Sequence, residues 1–88
     1  MPKANAQESV REKAVSGVVT RDRLLAASAD LIVERGWGAV TTRAVAERAA
    51  VNQALVHYHF GSIGNLRRES IVARLMPAVQ GLVDELLD

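Results

Sequence analysis

Residues that typically end or begin helices divide the sequence into short segments. The spacing of these residues constrains the fold more than any other feature. An apolar pattern of helical period ends at Gly36, and the next segments begin near Thr41, Asn52 and Ser62. Glycine commonly ends a helix, whereas serine, threonine and asparagine cap the start of one. The pattern predicts helices over residues 21–35, 43–49 and 53–60, and a fourth from Ser62 to Leu75 or Met76. The connectors are too short for strands, so we expect an all-α fold.

The two ends of the chain give weaker patterns. Residues 1–19 have no sustained apolar face and are predicted to form a flexible arm. Its basic residues are more typical of a disordered tail than of an arm that enters a minor groove. Thr20 is the predicted cap of the first helix. Near the other end, Pro77 either begins a fifth helix or kinks a continuous one.

Beyond Pro77 the apolar residues form a helical stripe that nothing in the sequence covers. Its members are Val79, Leu82, Val83, Leu86 and Leu87. Since the sequence ends inside this stripe, we expect the chain to be a fragment or to need a partner.

Composition excludes several classes of protein. With no cysteine, the chain can form neither a disulfide framework nor a thiolate metal site. It has no apolar run of the roughly 20 residues that a membrane span needs, and its N-terminus lacks the apolar core of a signal peptide. A single, cytoplasmic domain without a membrane partner is therefore expected.

Charge is unevenly distributed along the chain. The net charge is only +1, but residues 1–76 hold all 11 Lys and Arg against seven acidic residues. Residues 77–88 hold three acidic residues and no basic one. This distribution fits a DNA-contacting head joined to another part, and it equally fits an unevenly charged solvated surface.

The second and third predicted helices form a helix-turn-helix pattern. Small inward residues, Val45, Ala46 and Ala49, allow the close approach that a tight corner needs. In the third helix, Val56 and Phe60 share one face. The opposite face carries Gln53, Ala54, His57 and Tyr58.

A helix of this kind fits the major groove of DNA. The same corner also occurs as scaffolding or as a protein-interaction module, but such a module predicts an apolar outer face, so the polar face favours DNA. No constellation of residues suggests an enzyme. His57 and His59 point to different faces of a helix and lack a nearby acidic or thiol ligand, so no metal or cofactor is expected.

The stretch from Thr20 to Leu66 resembles the DNA-binding domain of the tetracycline-repressor (TetR) family of bacterial regulators. Four linked motifs carry the resemblance: Glu34-x-Gly36-Trp37, Thr41-Thr42-x-x-Val45-Ala46, the turn Ala49-Ala50-Val51-Asn52, and Val56-His57-Tyr58-His59-Phe60.

The resemblance implies a homeodomain-like, three-helix DNA-binding head over residues 20–62. Residues 63–88 would then be a linking helix and the start of a further helix belonging to an effector and dimerisation domain. It also implies a ligand-released repressor that binds a pseudo-palindromic, double-stranded operator as a homodimer. A small-molecule effector and association with the nucleoid follow from the same resemblance.

The resemblance assigns roles to individual residues. Arg43, Gln53, Ala54, Leu55 and Tyr58 look like the groove-facing set, and Asn52 begins the helix that carries most of them. Thr42, His57 and His59 look like phosphate contacts. The core is expected to contain Leu24, Leu31, Ile32, Val45, Ala46, Val56, Phe60 and Leu66. Trp37 is expected to plug the core beside the first two helices.

The sequence departs from the family pattern at several positions. Ala50 replaces the usual turn glycine, Ser28 replaces an alanine, and His57 replaces a tyrosine that binds phosphate. The usual Lys-Glu pair at the start of the fourth helix is Ile63-Gly64. Arg67-Arg68 is either a solvated pair or a phosphate contact.

Arg67 lies one helical turn after Ile63, so it is predicted to reach back and supply the phosphate contact of the missing lysine.

Overall fold

The computed structural model describes the backbone of residues 6–88 and the side chains of residues 15–88. Five helices follow one another in this part of the chain. They are α1 (Ala6–Arg35), α2 (Thr42–Ala49), α3 (Ala54–Phe60), α4 (Ile63–Ser70) and α5 (Met76–Leu87). A single 3₁₀ turn, Trp37–Ala39, joins α1 to α2, and a π-helical turn, Ile71–Leu75, joins α4 to α5. The described residues contain no strand, which confirms the predicted all-α fold.

Helix α1 is longer than the sequence pattern predicts. It begins at Ala6, so Thr20 lies inside the helix instead of capping it. Residues 6–19 lack an apolar face, but extending an existing helix needs no new nucleus and is therefore much easier than starting one. The prediction of a flexible arm is wrong for residues 6–19. Residues 1–5, and the side chains of Arg11 and Lys13, lie outside the described residues.

One apolar core joins the first four helices. Its buried residues come from α1, the connector and all three helices that follow. They are Leu24, Leu25, Ala27, Leu31, Val40, Val45, Ala49, Val56, Phe60 and Leu66. All the core residues named from the sequence are buried except Ile32, which is partly buried against the cluster.

Left-handed backbone conformations follow three of the helices. Gly36, which ends α1, has φ 91°, and Gly61, which ends α3, has φ 80°. Ala50 ends α2 with φ 59° and ψ 45°. There its N–H donates to the Glu47 carbonyl at 3.2 Å, and the next N–H, that of Val51, donates to the Ala46 carbonyl at 3.0 Å. A side chain in this conformation costs about 1–2 kcal/mol, which glycine avoids.

A buried hydroxyl pair joins α1 to α4. The Oγ atoms of Ser28 and Ser70 lie 2.9 Å apart, and both side chains are fully buried. Ser70 donates its own proton to the Arg67 carbonyl at 2.8 Å. Since a hydroxyl has one proton to donate, Ser28 is the donor in the bond between the two serines.

The π-helical turn precedes Pro77 and has a local cause. The N–H of Met76 donates to the Ile71 carbonyl, five residues earlier. Proline has no N–H, and its ring would clash with the carbonyl of Ala73 in a regular α-helix. The wider turn relieves this conflict, and Pro77 occupies the first turn of α5.

Helix α5 projects from the head with none of its residues buried among the described residues. No helix in the described part of the chain combines the length and the apolar character that crossing a membrane requires.

Replacing Ala50 with glycine should stabilise the protein. The substitution removes the strain of the left-handed conformation, and glycine's greater freedom in the unfolded chain offsets part of the gain, leaving about 1 kcal/mol or less. Urea denaturation followed by circular dichroism measures the change. As a control, Ala44→Gly inside α2 should destabilise by about 1 kcal/mol. Equal destabilisation by both substitutions would contradict the strain at Ala50.

The two serines should respond unequally to mutation. Ser70→Ala leaves the buried Ser28 hydroxyl without its acceptor and should cost about 1–3 kcal/mol. Ser28→Ala leaves Ser70 bonded to the Arg67 carbonyl and should cost less. The double mutant should lose less stability than the two single losses combined, because the unpaired hydroxyl is gone. Equal single costs that add in the double mutant would exclude this arrangement.

Candidate nucleic-acid interface

The corner between α2 and α3 is held by local hydrogen bonds. The Asn52 side chain accepts a bond from the Ala54 N–H at 2.9 Å, as a capping residue does. Helix α3 itself begins at Ala54, one residue later than the sequence predicts. Backbone bonds from Leu55 to Asn52 and from Val56 to Gln53 complete the first turn. Helix α3 therefore begins in a defined direction directly after the turn.

Helix α3 has one buried face and one exposed face, as the sequence indicates. Val56 and Phe60 are buried. The exposed face is formed by Gln53, Ala54, His57 and Tyr58. Tyr58 is 79% exposed, so this large aromatic side chain contributes almost nothing to the core. We call these four residues the α3 outer face.

Leu55 is not part of the α3 outer face. It is half-buried and packs against the core cluster. The neighbouring Ala54 is exposed. Of the two residues that the sequence offers for apolar contact with a thymine methyl, Ala54 is therefore the more accessible.

His57 has one ring nitrogen engaged by the backbone. Its Nδ1 lies 3.2 Å from the Gly61 carbonyl oxygen. Because a carbonyl oxygen only accepts, Nδ1 must carry the hydrogen in this bond.

His59 lies on the side of α3 that approaches α1. It is half-buried, and a Cβ placed on Gly17 of α1 would lie 3.9 Å from its Cε1 atom. Its ring meets the edge of Tyr58, with centroids 4.8 Å apart and an interplanar angle of 87°. An edge-to-face arrangement of this kind is favourable for two aromatic rings.

The start of α2 supplies two of the predicted contacts. The Thr41 hydroxyl accepts the Ala44 N–H at 3.1 Å, so Thr41 is the cap and Thr42 is the first residue of the helix. Arg43 pairs with Glu47 at 3.0 Å, with side chains 79% and 67% exposed. An exposed pair of this type is worth about 0–1 kcal/mol, so Arg43 can leave Glu47 for a stronger partner.

The structure places Arg67 away from the position that the sequence suggests. Its guanidinium lies 5.4 Å from the centre of the Trp37 ring, and its Nε is buried without a hydrogen-bond partner. Trp37 is 43% exposed, so the prediction that it plugs the core is wrong. Both residues lie between the core and the surface, where a cation over an aromatic face is favourable.

Two other arginines hold helices together. Arg21 of α1 pairs with Glu69 of α4 at 3.1 Å, and its guanidinium lies 4.9 Å from the centre of the Phe60 ring. Arg48 of α2 pairs with Glu34 of α1 at 2.7 Å. Glu69 and Glu34 thus pair with arginines that connect α1 to α4 and to α2.

Arg68 behaves differently from these arginines. It is exposed and donates a hydrogen bond to the Asn65 side-chain oxygen. Among the described side chains no carboxylate lies within ion-pair distance of it. The Arg-Arg pair in the sequence indicates a basic position here, but it does not reveal which arginine packs and which remains free.

The described side chains contain no group of three His, Cys, Asp or Glu residues that could hold a metal ion. The α3 outer face and the start of α2 present hydrogen-bond donors, hydrogen-bond acceptors and a cation on short helices. Such a surface can contact base edges and phosphates.

Comparison with known families agrees with this geometry. Residues 24–69, more than half of the chain, match the model of the bacterial regulatory proteins of the tetR family. The matched range contains the C-terminal part of α1, all of α2, the turn and α3, and all of α4 except its last residue. No curated protein and no solved structure matches the chain.

The contact between Arg67 and Trp37 can be tested by fluorescence, because Trp37 is the only tryptophan. Arg67→Ala removes the guanidinium from the indole ring and should increase quenching of its emission by acrylamide. Arg68→Ala provides the matched control and should leave quenching unchanged. If Arg67→Ala also leaves it unchanged, Arg67 does not cover Trp37 in solution.

Proposed function

The chain belongs to the tetR family of bacterial regulatory proteins, and we propose that it is a repressor that binds a specific operator sequence. The observation that carries this proposal is the α3 outer face, where polar and aromatic side chains are exposed beside a fixed turn. In regulators with a helix-turn-helix, the second helix enters the major groove and its N-terminal residues contact bases.

Base reading is assigned to the residues nearest the start of α3 and to Arg43. Glutamine can bond an adenine edge with two hydrogen bonds, and arginine can do the same with guanine. The exposed methyl group of Ala54 fits the methyl group of thymine. Tyr58, one turn further along α3, would contact the groove wall or an adjacent base. Asn52 fixes the direction in which α3 enters the groove.

Phosphate contacts position the head without reading sequence. Thr42 at the start of α2, and His57 and His59 on α3, are proposed for this role. His57 and His59 do not contribute equally in this proposal, since His59 is half-buried beside α1 and His57 is exposed. Arg67, which the sequence suggests for this role, is left out of the proposal, because its guanidinium already packs on Trp37.

The proposed repressor acts as a homodimer on a pseudo-palindromic operator, and a small-molecule effector releases it. Two heads related by two-fold symmetry bind half-sites about one helical turn, or roughly 34–36 Å, apart. Among the described residues, α5 offers exposed apolar side chains for contacts outside the head, including Val79, Leu82 and Leu86. Repression follows when such a dimer occupies DNA that the transcription machinery needs.

Selection of bound sequences from a random duplex library tests the proposal directly. It should return one sequence with two inverted half-sites, and sedimentation should give two chains per duplex. Recovery of no preferred sequence would contradict operator binding, and one chain per duplex would contradict the dimer.

Substitutions on α3 then test the assignment of roles. Gln53→Ala removes a base contact and should cost about 1–3 kcal/mol on the selected duplex but much less on a scrambled duplex. His57→Ala removes a phosphate contact and should weaken binding to both duplexes alike. Fluorescence anisotropy measures both affinities. Uniform losses for the two variants would show that Gln53 does not read a base.

A further inference from the structure

Arg68 of α4 is held beside the end of α3 by a chain of hydrogen bonds. Asn65 donates from its Nδ2 atom to the Phe60 carbonyl at 3.0 Å, and its Oδ1 atom accepts from Arg68. The Asn65 N–H in turn donates to the Ser62 hydroxyl at 3.1 Å, which caps α4. One residue, Asn65, therefore connects the last residue of α3, the cap of α4 and the Arg68 guanidinium.

The Arg68 guanidinium lies close to Gly64. A Cβ on Gly64 would lie 3.7 Å and 4.0 Å from the two terminal nitrogens of Arg68. Side chains on a helix lean towards its N-terminus, so a long side chain covers the turn before its own Cα. Arg68 accordingly lies across the first turn of α4 instead of extending into solvent from its own turn.

This position is electrostatically unusual for a cation. The N-terminal end of a helix carries partial positive charge, which favours anions and disfavours arginine. Glu69, the adjacent carboxylate in the sequence, pairs with Arg21. The partner of Arg68 is a neutral amide, which fixes the direction of the guanidinium without neutralising it. Most of the five N–H donors of the guanidinium remain available.

Arg67 provides the contrast within the same helix. It is half-buried, and its guanidinium lies on Trp37. Moving it to a DNA backbone would uncover the indole ring and break that contact. Arg68 is exposed and needs no rearrangement of the core to meet an anion.

We propose that Arg68, positioned by Asn65 over Gly64, is the residue of α4 that binds a backbone phosphate of the operator. This inference rests on the proposed DNA-binding function and adds a contact to it. A guanidinium presents paired donors that match two phosphate oxygens. Because Asn65 also bonds the end of α3, this contact fixes the position of the α3 outer face relative to the DNA backbone.

The dependence of DNA affinity on salt concentration tests this assignment. The probe is a random-sequence duplex long enough for two half-sites, with the selected operator as a second probe. Each phosphate neutralised adds about 0.9 to the slope of log affinity against log salt. Arg68→Ala should therefore make the slope shallower by about 0.9 per bound head on both probes. Arg68→Lys should retain the slope, because the charge remains.

Arg67→Ala is the matched control and should leave the slope unchanged. Asn65→Ala should lower affinity on both probes while retaining most of the slope, because it frees Arg68 without removing its charge. Circular dichroism establishes that each variant is folded. An unchanged slope in folded Arg68→Ala, or an equal loss in Arg67→Ala, would overturn the assignment to Arg68.

The same titrations separate this inference from the proposed function. If the wild-type protein binds neither duplex, the DNA-binding function itself is wrong. If the wild-type protein binds with a steep salt dependence and Arg68→Ala binds identically, only the role of Arg68 is wrong.

Discussion

Helices α2 and α3 depend on the core that they share with α1 and α4, because neither is stable alone. They contain 8 and 7 residues, whereas an isolated helix shorter than roughly 12–15 residues is marginal in water. Val45, Val56 and Leu66, from three different helices, are fully buried together with Leu24 of α1. The surface offered to DNA is therefore only as rigid as the packing beneath it, and the caps at Thr41, Asn52 and Ser62 fix where each helix begins.

Local features of the sequence predicted local features of the fold. The caps at Thr41, Asn52 and Ser62 and the alternation of buried and exposed residues on α3 depend on neighbours within a few positions. The start of α1 could not be predicted from local signals. Residues 6–19 have no apolar face, and they extend a helix whose stability comes from the residues that follow. The Ser28–Ser70 bond joins residues 42 positions apart, so no local pattern could reveal it.

The candidate site, like the fold, could be predicted from the sequence only where local patterns determine it. Which residues of α3 face outwards follows from helical periodicity, whereas the directions of long side chains do not. Arg67 and Arg68 are identical in type and adjacent in sequence, yet one packs on Trp37 and the other crosses Gly64. The choice depends on an indole ring contributed by another segment and on the hydrogen bond from Arg68 to Asn65.

The π-helical turn at Ile71–Leu75 also determines the orientation of everything that follows it. One extra residue within a helix rotates all later side chains by about 100° around the axis and moves them about 1.5 Å along it. This one extra residue therefore determines the direction in which α5 presents Leu82 and Leu86 relative to the α3 outer face. A deletion that restored regular winding would turn the apolar stripe by more than a quarter of a revolution.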